Sequence, residues 1–314
     1  MNVLFVSSGN NKHGISSIIY NQGESLKKAG VQIDYFTITG KGITGYLYNL
    51  PALRAKLRQK EYHLIHAHYS LSAMLVSLTF PKQPIIVSLM GSDTSASSFW
   101  RFLIKLNYAF LWHTVIVKSA KMKSALKLKK AQVIPNGVDV SSFPEQEKEA
   151  ALKMINWRLD KKYVLFLADP SRYEKNYPLA NEAFYLLKDQ TAELKVVYNI
   201  AYPDVVHYLN AADVLLLTSL WEGSPNVIKE AMACNCPIVA TDVGDISWLL
   251  SNLKGCYVTG FDKKEIASRL QDALLFAARH GRTQGKKRLI ELGLSAEAVA
   301  LNIKEVYKNS LNRI

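Results

Sequence analysis

Glu222 and Glu230 bracket a seven-residue stretch that begins Gly223-Ser224-Pro225-Asn226 and follows an apolar run at 214–218. A strand that passes through a glycine turn into a helix gathers free backbone N–H groups at one point, and the helix dipole reinforces them, so the turn is a ready anion site. Pro225 is placed to start that helix, and Glu230 falls about a turn and a half inside it. A carboxylate on the turn and a second on the helix can accept hydrogen bonds from sugar hydroxyls. Phosphate at the turn and hydroxyls on the carboxylates together describe a nucleotide-sugar. The plainer alternative makes one glutamate a partner of the helix dipole and the other an ordinary helix-surface residue. Cys234 and Cys236 form a Cys-x-Cys pair, and Cys256 stands alone. With no further Cys or His at ligand spacing the pair reads as packing, not metal binding, and three cysteines do not make a disulfide framework.

These residues need elements to hold them. Short apolar runs at 3–7, 34–37, 63–68, 85–89, 115–117 and 132–134 alternate with helical patterns, and a second series follows at 164–168, 194–198, 214–218, 238–241 and 256–258. Such alternation predicts parallel sheets covered by helices on both faces, and two series predict two doubly wound domains. At 314 residues and 49% apolar content each half can bury a core. The turn signal Pro135-Asn136-Gly137 and the acidic stretch after it mark the break. The expected division is an N-terminal domain over 1–143, a C-terminal domain over 144–295 and a final helix over 296–314, with Ser295 placed as its cap. In the first domain, His68 and the turn Gly91-Ser92-Asp93 end strands and should face a cleft. His68 reads as a cleft hydrogen-bonding residue or a buried structural histidine, Asp93 as an acceptor contact or a turn cap.

Residues 219–244, SLWEGSPNVIKEAMACNCPIVATDVG, resemble the glutamate-x7-glutamate motif of the retaining glycosyltransferases of the GT-B fold known as glycosyl transferases group 1. The resemblance implies an α/β architecture of two Rossmann-like domains facing a central cleft, with a UDP- or GDP-sugar donor in the second domain and a glycan or lipid-linked acceptor in the first. It gives Glu222 the donor sugar, Glu230 the ribose hydroxyls, and backbone contacts with the donor to Ser224, Pro225, Asn226 and Val227. Arg172 and Lys175, on the loop Ala168-Asp169-Pro170-Ser171-Arg172-Tyr173-Glu174-Lys175-Asn176, match the cations that grip the donor diphosphate. Fixed cations there would stabilise charge that grows on the leaving group. Gly14, in a first loop poorer in glycine than the family's, could admit phosphate or acceptor close to the backbone. Residues 133–139 with Phe143 resemble the family's interdomain crossing, and Tyr307 lies in a helix like the one that recrosses to the N-domain. Met90 stands where many members carry a histidine. No Asp-x-Asp pair occurs, so a metal-independent mechanism is expected; the resemblance implies retention of configuration, and a same-face, cofactor-free mechanism is the preferred form of it. The alternatives are a non-catalytic subunit supporting a partner transferase, or a nucleotide-sugar epimerase or phosphorylase.

Charge divides unevenly. Residues 1–143 carry 17 Lys/Arg against 5 Asp/Glu, while the remainder carries 22 against 21. A one-sided basic balance suggests an anionic partner. No nucleic-acid module is recognisable, so a membrane surface or phosphorylated acceptor is preferred to nucleic acid. Arg54, Lys56, Arg58 and Lys60 surround Leu53 and Leu57 on one predicted helix. The segment 97–112 mixes Phe99, Trp100, Phe102, Leu106, Phe110 and Trp112 with Arg101 and Lys105, a composition suited to a membrane interface or to a core helix with snorkelling cations. With no apolar run of about 18 residues and no basic lead to the opening residues, the chain is expected in the cytoplasm, at the inner face of a membrane.

Overall fold

The computed structural model of the chain describes every residue except 11–13, 96, 313 and 314. Two compact units divide it: residues 1–137 with the segment from 296 onward, and residues 138–295. Unit 1 carries a six-stranded sheet of β1 (Asn2–Ser8), β2 (Gln32–Ile38), β3 (Leu64–His68), β4 (Ile85–Ser88), β5 (Thr114–Val117) and β6 (Gln132–Val133) in the order β2-β1-β3-β4-β5-β6. Every ladder is parallel. Unit 2 repeats the plan with β7 (Lys162–Phe166), β8 (Ala192–Val196), β9 (Val214–Leu217), β10 (Ile238–Thr241) and β11 (Cys256–Thr259) in the order β11-β10-β9-β7-β8, again parallel.

The strand sequences explain the sheets. β3, β4, β9 and β10 are buried at every position, as parallel strands covered on both faces must be. β7 begins two residues before the apolar run because Lys162 pairs with Asp189 at 3.0 Å while its backbone already joins the ladder opposite Ala192. In each sheet the order reverses beside the first strand, between β1 and β3 and between β7 and β9. Ligands of open parallel sheets bind at such switch points, outside the carboxyl ends of the strands.

The division falls at Gly137, earlier than the sequence boundary at Phe143. The Val138 N–H donates to the Leu294 carbonyl at 3.0 Å, and Val138 bridges Ser295. Phe143 is buried and meets Tyr202 edge-on at 5.9 Å, within unit 2. The last helix, Ala296–Leu311, belongs to unit 1. Lys304 donates to the Ala29 carbonyl, Ser310 lies 2.9 Å from the Thr114 hydroxyl, and the Tyr307 hydroxyl lies 2.6 Å from His66 Nδ1.

Candidate active site

In unit 2 the loops after β7 and β9 flank the switch point. Asp169 starts the first by accepting from the Ser171 N–H at 2.9 Å and its hydroxyl at 2.7 Å. A short 3-10 turn over Tyr173–Lys175 follows, and Asn176 adopts a left-handed conformation (φ 51°) that starts the helix Tyr177–Tyr185. The two loops are tied together. The Leu220 N–H donates to the Glu174 carbonyl at 2.8 Å, and the Thr218 hydroxyl donates to the carbonyls of Lys175 and Asn176. Lys175 Nζ rests 2.5 Å from Glu222 Oε1, with both side chains 15% exposed, and the Ser219 hydroxyl donates to the same oxygen at 2.9 Å. Arg172 pairs with Glu174 and is 55% exposed. The two cations thus differ: Lys175 is fixed against the motif carboxylate, and Arg172 is held at the surface.

Pro225 caps the helix Asn226–Ala233, which is buried from Ile228 to Ala233. Glu230 accepts from the Tyr202 hydroxyl at 3.1 Å. Burial outweighs that bond and lifts its carboxyl to about 7. Lys229, fully buried, donates to the Ser224 hydroxyl at 3.0 Å, so the Ser224 side chain is turned into the protein. Gly244, at φ +59°, backs onto the turn: a Cβ there would sit 2.7 Å from the Gly223 carbonyl oxygen. Val227 and Lys175 line a cavity of about 20 Å³ with Phe166 and Leu217, between the ends of β7 and β9.

In unit 1 a cavity of about 410 Å³ opens at the β1/β3 switch point, lined by Ser8, Tyr46, Tyr69, Ser70, Asp93 and Trp100 among others. Asp93 is buried. Its Oδ2 accepts from the Met90 N–H at 2.7 Å and its Oδ1 from the Ser70 hydroxyl at 2.6 Å, to which Trp100 Nε1 donates at 3.1 Å. Burial raises its carboxyl above the usual range in spite of these donors. His68 is fully buried, stacked on His66 at 4.4 Å and against Phe5, and neither ring nitrogen has a hydrogen-bond partner. Burial, with the neighbouring His66 and Lys118, pushes its pKa well below the ordinary value.

A pH dependence follows. In the folded state His68 stays neutral, while in the unfolded chain it protonates below about pH 6.5. The unfolded state then binds the extra proton, so this contribution is complete above that pH and is lost as pH falls. His68→Leu removes it and leaves no polar partner unpaired. The stability of His68→Leu relative to wild type, from urea melts, is expected to rise by about 1.4 kcal/mol per pH unit below 6. A difference independent of pH would show that His68 is protonated alike in both states.

Comparison with known proteins bears on both units. Residues 31–142 match the model for Glycosyltransferase Family 4, and residues 182–275 match the model for Glycosyl transferases group 1. Each half of the chain thus matches a glycosyltransferase model, the second half that of the group 1 glycosyltransferases. It is 27% identical over 227 residues to a Bacillus subtilis (strain 168) protein assigned to teichuronic acid biosynthesis as a glycosyltransferase, covering 63% of this chain and 58% of the relative. It is 23% identical over 248 residues to an Escherichia coli UDP-Gal:alpha-D-GlcNAc-diphosphoundecaprenol alpha-1,3-galactosyltransferase, covering 65% of this chain and 64% of the relative. The matches thus span less than two thirds of these relatives' length. Among solved structures, sucrose-phosphate synthase from Thermosynechococcus elongatus superposes over the whole of both chains at TM-score 0.85 and 18% identity. Anabaena HepE in complex with UDP-glucose superposes over 98% of this chain and all of its own at TM-score 0.78 and 15% identity. The fold is therefore GT-B.

Unit 2 gathers Arg172, Lys175, Glu222, Ser224, Pro225, Asn226, Val227 and Glu230 on adjoining loops and one helix, while unit 1 holds Gly14, His68 and Asp93. Gly14 has a φ of +80° and open space where a side chain would start. The rest of its loop, Asn11, Lys12 and His13, lies outside the described residues. Sequence reasoning did not single out Lys229, Asp245, Tyr202 or Ser219. Lys229 carried a faint signal, a lysine next to the motif glutamate in an otherwise apolar helix. Among the described residues no three His, Cys, Asp or Glu side chains converge as metal ligands. Cys234 and Cys236 are buried, and burial raises both thiols, Cys236 to about 11. Among the described residues no helix is long and apolar enough to cross a membrane.

Proposed function

We propose that this chain transfers a sugar, with retention and without a metal, from a nucleotide-diphosphate sugar held by unit 2 to an acceptor seated at the unit 1 cavity. One observation carries the proposal: at the β7/β9 switch point Lys175 is fixed on Glu222, and the helix that starts beside them presents Glu230 one turn further in. Glu230 suits ribose. A carboxyl raised to about 7 is partly protonated in the empty site, and two sugar hydroxyls donating to it would favour the carboxylate and release a proton. Lys175 and Arg172 would meet the diphosphate as its charge grows. The bound UDP-glucose of the Anabaena structure supports UDP over GDP. The names of the two relatives, one for teichuronic acid and one for a diphosphoundecaprenol-linked sugar, support surface-glycan assembly on a lipid carrier. That role would place the chain at the inner face of a membrane, and the basic, aromatic-bearing surface of unit 1 supports it.

Calorimetry tests the donor role. Glu230→Gln is expected to weaken UDP binding by roughly 1.5–3 kcal/mol, the worth of a charged hydrogen bond. Wild-type binding at neutral pH should release protons, seen as a dependence of the measured heat on buffer ionisation. Unchanged UDP affinity in the variant would remove Glu230 from the ribose. A panel of UDP- and GDP-sugars in thermal shift identifies the donor, since a bound ligand raises the melting temperature by mass action. Turnover surviving excess chelator is the expected result for a metal-independent reaction. Met90, buried where many members carry a histidine, favours the second reading, a non-catalytic subunit. Turnover of the isolated chain separates the two.

A further inference from the structure

A fully buried ammonium costs several kcal/mol unless charge and hydrogen bonds compensate it. Lys229 is such a group, on a helix otherwise lined inward by Ile228, Ala231 and Met232. Its Nζ lies 3.0 Å from the Ser224 hydroxyl and 3.5 Å from the Ser224 carbonyl oxygen. The carboxylates of Asp245, Glu230 and Glu222 favour its charged form, Asp245 most strongly, against the burial that lowers it to about 8. Asp245, on the loop after β10, is itself buried; Ser224 and its own backbone N–H lie close enough to favour its carboxylate, though neither oxygen meets a donor in full hydrogen-bond geometry. The charge on Lys229 is the largest influence keeping Asp245 ionised against burial. Next to Asp245, Gly244 presses on the Gly223 carbonyl. Three segments therefore meet around this lysine: the turn after β9, whose Ser224 takes its hydrogen bond, its own helix Asn226–Ala233, and the loop after β10, whose Asp245 acts on it through charge.

We propose that Lys229 is a positioning residue for the donor site, its buried charge joining Ser224 to Asp245 and so fixing the backbone of the turn 222–225 that faces the donor diphosphate. The proposal rests on the donor-site reading for its consequence, though the hold on the turn is a property of the free protein. Lys229 would not touch the substrate. It holds the peptide groups of the turn in the direction in which they meet an anion, which a site assembled from loops otherwise leaves to chance. Because a charge does the holding, the hold is pH-dependent. Raising pH through about 8 removes the proton of Lys229 and leaves Asp245 as a buried carboxylate with no counter-charge. The groups facing Lys229 are Ser224 and Glu222 from the turn, Glu230 from its own helix and Asp245 from the loop after β10, with Lys175 already neutralising Glu222. Lys229 loses its proton on the basic side of neutrality, at about 8, above Glu230 at about 7.

The test uses the full chain with Lys229→Met, Lys229→Arg and the double variant Lys229→Met/Asp245→Asn. In the ligand-free protein, Lys229→Met is expected to speed hydrogen exchange across residues 220–227 and 242–247 at least tenfold, the change expected when a buried charged hydrogen bond is lost. Exchange in β7 and β8 should stay unchanged. UDP affinity should fall by a similar factor. The double variant, with neither charge buried, should recover part of both losses, and it keeps the test informative if the single variant does not fold. Wild-type UDP affinity should weaken between pH 7.5 and 9, while Lys229→Arg, which keeps its charge over that range, should hold its affinity across it. Wild-type exchange rates in Lys229→Met, or no recovery in the double variant, would overturn the proposal. A basic limb that persists in Lys229→Arg would do the same. If the wild type binds no UDP or UDP-sugar, the donor reading fails instead, and the exchange data still report whether Lys229 holds the turn.

Discussion

Lys175→Met is expected to lower turnover by about 10²–10³, the loss seen when a preorganised charge-stabilising group is removed, with a smaller change in the donor KM. The imbalance follows from when the interaction matters. The diphosphate carries more charge as it departs than while it is esterified to the sugar, so a fixed cation acts mainly on the transition state. Lys175 is suited to this because it does not have to be ordered at the moment of reaction: Glu222 Oε1 holds it at 2.5 Å and both side chains are largely covered. Its removal does further harm. Glu222 would keep the Ser219 hydroxyl and only the weaker influence of the Lys229 charge, and so become an under-compensated carboxylate beside a developing anion. Arg172→Met should cost less, because its guanidinium is 55% exposed and lies on Glu174, where water screens it. Steady-state kinetics with a UDP-sugar donor measures both. Equal losses in the two variants would contradict the ranking, and wild-type turnover in Lys175→Met would remove that residue from the mechanism.

The contrast between these cations marks what a sequence can and cannot convey. Strands such as β3, β4, β9 and β10 are legible because a parallel strand buried on both faces is a short apolar run, and the loops after β7 and β9 because each motif lies on one contiguous strand-turn-helix. What was hidden depends on residues far apart in the chain. Asp93 reads as an acceptor contact or a turn cap, and one of its oxygens accepts from the nearby Met90 N–H. Its other oxygen reaches Ser70, and Ser70 reaches Trp100, thirty residues away from it. The bond from Tyr307 to His66 spans 241 residues. Lys229 looks like a surface lysine until the whole helix face around it proves to be buried. In the basic helix Leu50–Gln59 and its C-cap, Arg54 is turned to the Leu78 carbonyl and Lys60 to Asp34, so two of four cations that look free in the sequence are engaged.

Replacing Phe99, Phe102, Leu106 and Phe110 together by serine is expected to abolish binding of this chain to lipid vesicles. These four lie three or four residues apart along the helix Ser98–Phe110 and are 68%, 59%, 45% and 78% exposed. That spacing makes one continuous apolar stripe. The opposite face is accounted for. Ile104 is buried in the unit 1 core, Trp100 donates to Ser70, and Trp112, just past the helix, donates to Ser77. Trp100, which by composition could have been an anchor, is therefore committed to the protein, and Phe99 keeps company with phenylalanines further along. Fully burying a large apolar side chain is worth about 1.5–3 kcal/mol. Even if a membrane interface captures a third of that for each, four side chains contribute about 2–4 kcal/mol, or a 30- to 1000-fold change in partitioning. Each exposed Lys or Arg adds on the order of 1 kcal/mol at an anionic surface, so the stripe of four outweighs any one or two such cations. Charge should still select the surface. Wild-type protein is expected to sediment better with anionic than with neutral vesicles and to lose that preference, though not all binding, in high salt. The serine variant should bind neither, while its UDP affinity, proposed for unit 2, is unchanged. Wild-type sedimentation of the serine variant would take the stripe out of the interface. Indifference of the wild type to anionic lipid would leave the basic excess of residues 1–143 to solvation or to a soluble anionic acceptor.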